Sequence, residues 1–264
     1  MPFLASDAGR LWYEDAGQGP AVLFLHSALV DSRMWDPQFE SWAERYHVIR
    51  LDFRMFGRSD PPAAPYSSID DIASVLDACG AGRAAVVGSS AGGALELEFA
   101  VSHPDKMWAA VAVCAGVIGF EGPGGERHEE LQRLVLEARE REGAAAAQRI
   151  ELEYWCPSGV YRDSDELLWE IAQGARATFT IEDDPDRLPE TPTVERLGEI
   201  AAPTLVVIAD DDVAEMHSAA DLLFERIPEA RLGRMGGDHL PSFRRPAEFD
   251  ALVLPFLDQA APKD

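Results

Sequence analysis

The chain reads as an α/β protein: a mostly parallel, doubly wound sheet with a helical lid insertion. Three observations predict this. The apolar runs AVLFLHS, AAVVG, AAVAVCAG and TLVVIAD are continuous instead of alternating, as in strands covered on both faces. They alternate with helical stretches, which implies right-handed crossovers between parallel strands. Residues 119–194 break that rhythm with Glu-, Arg- and Ala-rich sequence that holds no comparable strand.

Each element follows in order. LWYEDAG is strand-like and ends in the turn GQGP. The run at 21–27 is the first core strand, followed by the helical stretch SRMWDPQFESWAER. YHVIRLD, at 46–52, is the next strand and opens into the Gly/Pro-rich loop FRMFGRSDPPAAP. SIDDIASVLDACG is a helix with a glycine stop. AAVVG, at 84–88, is a strand, and SAGGALELEFAVSHP a helix ended by Pro104. AAVAVCAG closes the first part of the core. TLVVIAD, at 204–210, reopens it, with the helix AEMHSAADLLFERIP behind. A weaker strand, ARLGRMG, precedes a last helix in PAEFDALVLPFLDQ. The core is thus 1–118 with 195–264. The insertion at 119–194 is expected as a helical lid over the carboxyl ends of the strands, where open α/β sheets bind ligands.

Composition narrows the class. A chain of 264 residues, 47% of them hydrophobic, suits one α/β domain of ordinary size. The net charge of −24 argues against nucleic-acid binding. The insertion alone carries 18 acidic and 8 basic residues, which disfavours polyanionic substrates. Only Lys106 and Lys263 are lysine; the other cations are arginine. Cys79, Cys114 and Cys156 lie far apart without metal-ligand spacing, so reduced thiols, no metal and a cytoplasmic setting are expected. MPFLASDAGR lacks the basic start and apolar stretch of a signal peptide, and the apolar runs are too short to span a membrane.

The chemistry centres on AAVVGSSAGG. Gly88-Ser89-Ser90-Ala91-Gly92 fits G-x-S-x-G only with Ser90 in the middle, because Ser89 is flanked at the same distance by Val87 and Ala91. Between a strand and a helix, this pattern makes a sharp turn that strains the central residue and lifts its hydroxyl above the sheet. Larger side chains at positions 88 and 92 would collide as strand and helix close up. The helix dipole and its free N–H groups aim at the site, so the Ala91 N–H can hold an oxyanion.

A nucleophilic serine needs a base, and the base an orienting acid. His47, His103, His128 and His217 fit surface or helix-end positions, and His26 precedes the serine. His239 lies in the glycine-rich loop GRMGGDHLPSF, which can reach over the strand ends. For the acid, the run ADDD at 209–212 directly follows a strand.

These motifs together resemble the α/β-hydrolase fold family, with a flavour of its esterases and 3-oxoadipate enol-lactonases. VLFLHSALVDSRMWDPQF is similar to the family's oxyanion loop and following helix, and LDFRMFGRSD to its D-x-R-G-x-G-x-S-D loop. VVGSSAGG is similar to the nucleophile elbow, PTLVVIADDD to the acid-bearing strand, and GGDHLPSFRRPAEF to the catalytic-histidine segment. The resemblance implies Ser90, Asp212 and His239 as a triad, with the Ala28 and Ala91 N–H groups as the oxyanion hole. It also implies that no cofactor is needed. Three positions depart from the pattern: Ser27, Met55 and Ala209 stand where the family has glycine. Ser27 adds a hydroxyl near the expected substrate site. Trp155, Cys156, Trp169 and Phe179 are candidates for lining a pocket under the lid.

The expected activity is cleavage of a small carboxylic ester or lactone through an acyl-enzyme on Ser90. The same residues serve C–C bond hydrolysis, perhydrolysis or amide cleavage, and a binding protein can retain the fold without activity. A haloalkane dehalogenase would carry Asp where this chain has Ser90.

Overall fold

The computed structural model describes residues 3–123, 125–157, 159–160, 162–173, 186–187 and 189–262. Eight strands form one sheet in the order β1-β2-β4-β3-β5-β6-β7-β8. In chain order they are β1 (Phe3–Ser6), β2 (Gly9–Ala16), β3 (Ala21–Leu25), β4 (His47–Leu51), β5 (Ala84–Ser89), β6 (Met107–Val113), β7 (Thr204–Ala209) and β8 (Arg231–Met235). The pairs from β4 through β8 are parallel, while β1–β2 and β2–β4 are antiparallel. β1 adds an edge strand to those expected from the sequence; FLAS is too short and too exposed to announce itself.

Along the strands, side chains alternate between two apolar layers. Leu23, Leu25, Val86, Ala110 and Ile208 face one layer. Val22, Phe24, Val87, Val111 and Val207 face the other. The helices α2 (Ser68–Ala78), α3 (Ala91–Ser102) and α8 (Ala214–Arg226) cover the first layer through residues such as Val75, Leu97 and Leu223. On the second layer lie α1 (Asp36–Trp42) and α10 (Pro246–Ala260), through Trp42, Phe249 and Val253. The stretch expected as one helix after β3 is a 3-10 turn, Ser32–Trp35, followed by α1, with Pro37 in its first turn.

Between β6 and β7 the described residues form α4 (Gly125–Glu142), α5 (Ala144–Trp155) and α6 (Arg162–Ala172). Leu152, Cys156, Leu168, Ile171 and Ala172 of this insertion join the second apolar layer. Its returning limb docks on the core, where Asp186 accepts the Ser68 N–H at 2.9 Å. The short helix α7 (Thr193–Arg196) then leads into β7, and α9 (Pro241–Arg244) lies between β8 and α10. At the opposite end of the sheet, Lys106 in the turn before β6 pairs with Asp77. No described helix is long and apolar enough to cross a membrane.

Candidate active site

The turn from β5 to α3 is held by contact. Ser90 has φ 56° and ψ −115°, a conformation a side chain other than glycine adopts at a cost of about 1–3 kcal/mol. The Ser90 N–H donates to the Val113 carbonyl at 3.0 Å, and its own carbonyl accepts from Ala94 at 3.0 Å and Gly116 at 3.1 Å. A Cβ on Gly88 would lie 2.4 Å from the Gly92 carbonyl oxygen, and one on Gly92 would lie 2.5 Å from that of Leu25. Strand, turn and helix therefore close only with glycine at both positions. This packing also draws the end of β3 against the first turn of α3. The Ser90 hydroxyl makes no capping bond to its own helix and is left to other partners.

Its partner is His239. The imidazole Nε2 stands 2.8 Å from Ser90 Oγ, and Nδ1 stands 3.1 and 3.0 Å from the two carboxylate oxygens of Asp212. Because Nδ1 faces a carboxylate, it carries the proton, and Nε2 accepts from the serine hydroxyl. The imidazole and carboxylate side chains are 1% and 0% exposed. Asp212 is placed by a stitch between β7 and β8: the Asp210 N–H donates to Met235 and the Asp211 N–H to Gly237. Asp210 and Asp211 are exposed. Asp238 turns its carboxylate to Arg244 and the Leu240 N–H.

The other histidines lie elsewhere. His47 pairs with Asp15, His103 stacks on Phe99, and His128 meets Gln132. His26 is wholly buried. Its Nδ1 donates to the Ser27 carbonyl at 2.8 Å, and its Nε2 accepts the Phe53 N–H at 2.9 Å. Burial pushes its pKa down despite the Asp52 charge, so the ring is neutral and pins the loop that leads to Ala28. Among the described residues no hydrogen bond uses the N–H of Ala28 or of Ala91. Ser27, the other candidate for substrate contact, lies in this loop with its hydroxyl turned inward. It is fully buried, its hydroxyl accepts the Leu29 N–H at 3.3 Å, and its N–H points at the Met34 sulfur. Among the glycine replacements, Met55 adopts φ 73°, the conformation for which glycine is suited.

Trp155, at the end of α5, lies on the imidazole, with ring centroids 4.5 Å apart, and its carbonyl accepts the His239 N–H at 3.3 Å. Cys156 is buried, Trp169 sits under the Arg149 guanidinium, and Phe179 lies outside the described residues. Sequence reasoning missed Cys114. Its thiol follows β6 and lies with an Asp212 oxygen and a His239 nitrogen inside a group of ligand atoms all within 4.8 Å of one another. Burial pushes this thiol's pKa well up, and His239 and Asp212 already bind each other, so the group suits a packed triad better than a metal centre. No local pattern marks Cys114, because its neighbours come from distant segments.

The sequence pattern described as "Alpha/beta hydrolase family" matches residues 22–252. The chain belongs to the α/β hydrolase family. It is 30% identical to a putative carbamate hydrolase, RutD, of Azorhizobium caulinodans, over 97% of this chain and 98% of that protein. It is 26% identical to 3-oxoadipate enol-lactonase 2 of Acinetobacter baylyi, over 91% of this chain and 90% of that one. Among solved α/β hydrolases it superposes with TM-score 0.80 on Est816, described as an N-acyl homoserine lactone degrading enzyme, at 27% identity over 97% of this chain and all of that one. The chain is therefore an enzyme of the hydrolase class.

Proposed function

We propose that this α/β hydrolase cleaves a small carboxylic ester or lactone through an acyl-enzyme on Ser90. The observation that carries the reading is the unbroken chain from Ser90 Oγ through His239 to Asp212, at 2.8 and 3.0 Å. His239 Nε2 takes the hydroxyl proton as Ser90 Oγ attacks the carbonyl. Asp212 keeps the proton of Nδ1 in place and stabilises the imidazolium that forms. The N–H groups of Ala28 and Ala91 hold the developing alkoxide, each such donor contributing about 3 kcal/mol in comparable sites. The tetrahedral intermediate collapses, the imidazolium gives its proton to the leaving oxygen, and the acyl group remains on Ser90. Water, deprotonated by His239, then releases the acid by the same steps.

The lactone-cleaving names among its relatives support an oxygen ester as substrate. The 30% identical relative named as a putative carbamate hydrolase favours a second reading, carbamate or amide cleavage by the same triad. A fluorophosphonate probe tests the nucleophile, since labelling must map to Ser90 and vanish in Ser90→Ala. A panel of p-nitrophenyl esters, simple lactones and an aryl carbamate then separates the two readings. Turnover confined to the carbamate would replace the ester assignment, and no labelling at Ser90 would remove both.

A further inference from the structure

The insertion grips the core at the histidine loop, through a buried cation. Arg244 on α9 has a side chain with 0% exposure. Its Nε donates to Asp238 Oδ2 at 2.8 Å. Its Nη1 donates to Ser164 Oγ at 2.7 Å and to Asp165 Oδ1 at 2.9 Å. Asp238 directly precedes His239, whereas Ser164 and Asp165 open α6 in the insertion. Asp238 Oδ1 also accepts the Leu240 N–H at 3.1 Å, so its carboxylate braces the backbone on both sides of the histidine. Asp165 Oδ2 accepts the Gly159 N–H at 2.7 Å, which fixes the far end of the link. From the same insertion, the Trp155 carbonyl and ring hold the His239 backbone and imidazole.

Burying a guanidinium between two carboxylates costs desolvation that an apolar side chain of similar volume would avoid. What the charge adds is placement, because its planar fork binds partners from two segments in fixed directions. That placement bears on the reaction. A displacement of about 1 Å in a reacting group costs on the order of a hundredfold in rate. We infer that Arg244 is a positioning residue for His239: by holding Asp238 it sets the imidazole against Ser90, and by holding α6 it makes that setting depend on the docked insertion. The inference rests on the reading of Ser90 and His239 as the reacting pair.

The test compares Arg244→Met, Arg244→Lys and Asp165→Asn with the unaltered enzyme. Folding is followed by melting temperature, and active sites are counted by complete fluorophosphonate labelling. Turnover of a p-nitrophenyl ester gives kcat and KM, and proton NMR of the substrate-free protein follows the low-field His239 Nδ1–H signal. We expect Arg244→Met to lose about a hundredfold in kcat per labelled site, with KM within about threefold and the low-field signal broadened. Asp165→Asn, which leaves the Asp238 contact intact, should lose about tenfold. Arg244→Lys should fall between Arg244→Met and the unaltered enzyme. A merely structural ion pair would lower the melting temperature and leave kcat per site and the proton signal unchanged; that result in a folded Arg244→Met overturns the inference. If Arg244→Met does not fold, unchanged kcat and signal in Asp165→Asn overturn it. An enzyme that neither labels nor turns over any ester refutes the functional reading, and the NMR comparison then decides the role of Arg244 alone.

Discussion

Two adjacent serines separate on geometry alone. Ser90 carries the positive φ of the elbow and meets His239, whereas the Ser89 hydroxyl is buried and finds no partner among the described residues. Ser90→Ala is therefore expected to lower kcat by about 10⁶, while Ser89→Ala keeps most of it. Comparable ester turnover by the two purified variants would refute this assignment. Asp212→Asn is expected to cost about 10⁴, because an amide cannot stabilise the imidazolium, and the same change at the exposed Asp210 or Asp211 far less. His26 supplies a pH prediction. Its folded pKa lies below the ordinary 6.5, so the unfolded chain binds more protons as the pH falls. Its contribution is complete above pH 6.5 and is lost below it. Urea unfolding at pH 7.5, 6.5 and 5.5 should show a steeper acid loss for the natural enzyme than for His26→Asn. Parallel curves would mean that other groups govern the acid limb.

Among the elements, α3 joins the elbow at its first turn and packs its body against β5 and β6. It nevertheless buries Glu96, fully inaccessible, with neither carboxylate oxygen bonded among the described residues. Burial pushes this carboxyl's pKa well up, so the folded protein holds a proton that the unfolded chain releases above about pH 4.5. The resulting stability is whole below that pH and declines as the pH rises. Glu96→Met is expected to raise stability at pH 7 by about 1–3 kcal/mol and to flatten the decline toward alkaline pH. Thermal melts at pH 5 and pH 8 check both; equal melting temperatures for the two proteins at pH 8 would refute it. This element also marks how far the sequence could be read. The order of strands and helices was legible because continuous apolar runs and glycine stops are local signals. Ser90 was legible because the G-x-S-x-G frame is a steric requirement within five residues. Arg244 with Asp165, and Cys114 beside Asp212, were not, since each pairs residues from segments brought together only by the fold. The short helix PSFR and the edge strand FLAS carry too few residues to show a period.

Across the whole molecule, α5 and α6 of the insertion contribute to the packing of the core. Leu168, on α6, is 1% exposed and belongs to the same apolar layer as Phe24 and Trp35 of the core. The Arg33 guanidinium, from the other side, donates to the Ile171 carbonyl at 3.2 Å. Leu168→Ala is therefore expected to destabilise the entire protein by about 2–5 kcal/mol, the ordinary cost of emptying a core site. Denaturant unfolding should remain a single transition. A loss confined to the insertion, with the core midpoint unmoved, would show the two parts to be independent.

The parallel strands carry one further consequence, for handling the enzyme on surfaces. Ser90, Asp212 and His239 gather at the carboxyl ends of the strands, whereas Lys106 stands at the amino end of β6 with 27% of its side chain exposed. Lys263 is the other lysine in the chain, so Lys263→Arg leaves Lys106 as the sole lysine amine. Coupled through that side chain, the molecules would stand on an electrode or bead in one orientation, with the carboxyl ends of the strands turned toward the flowing solution.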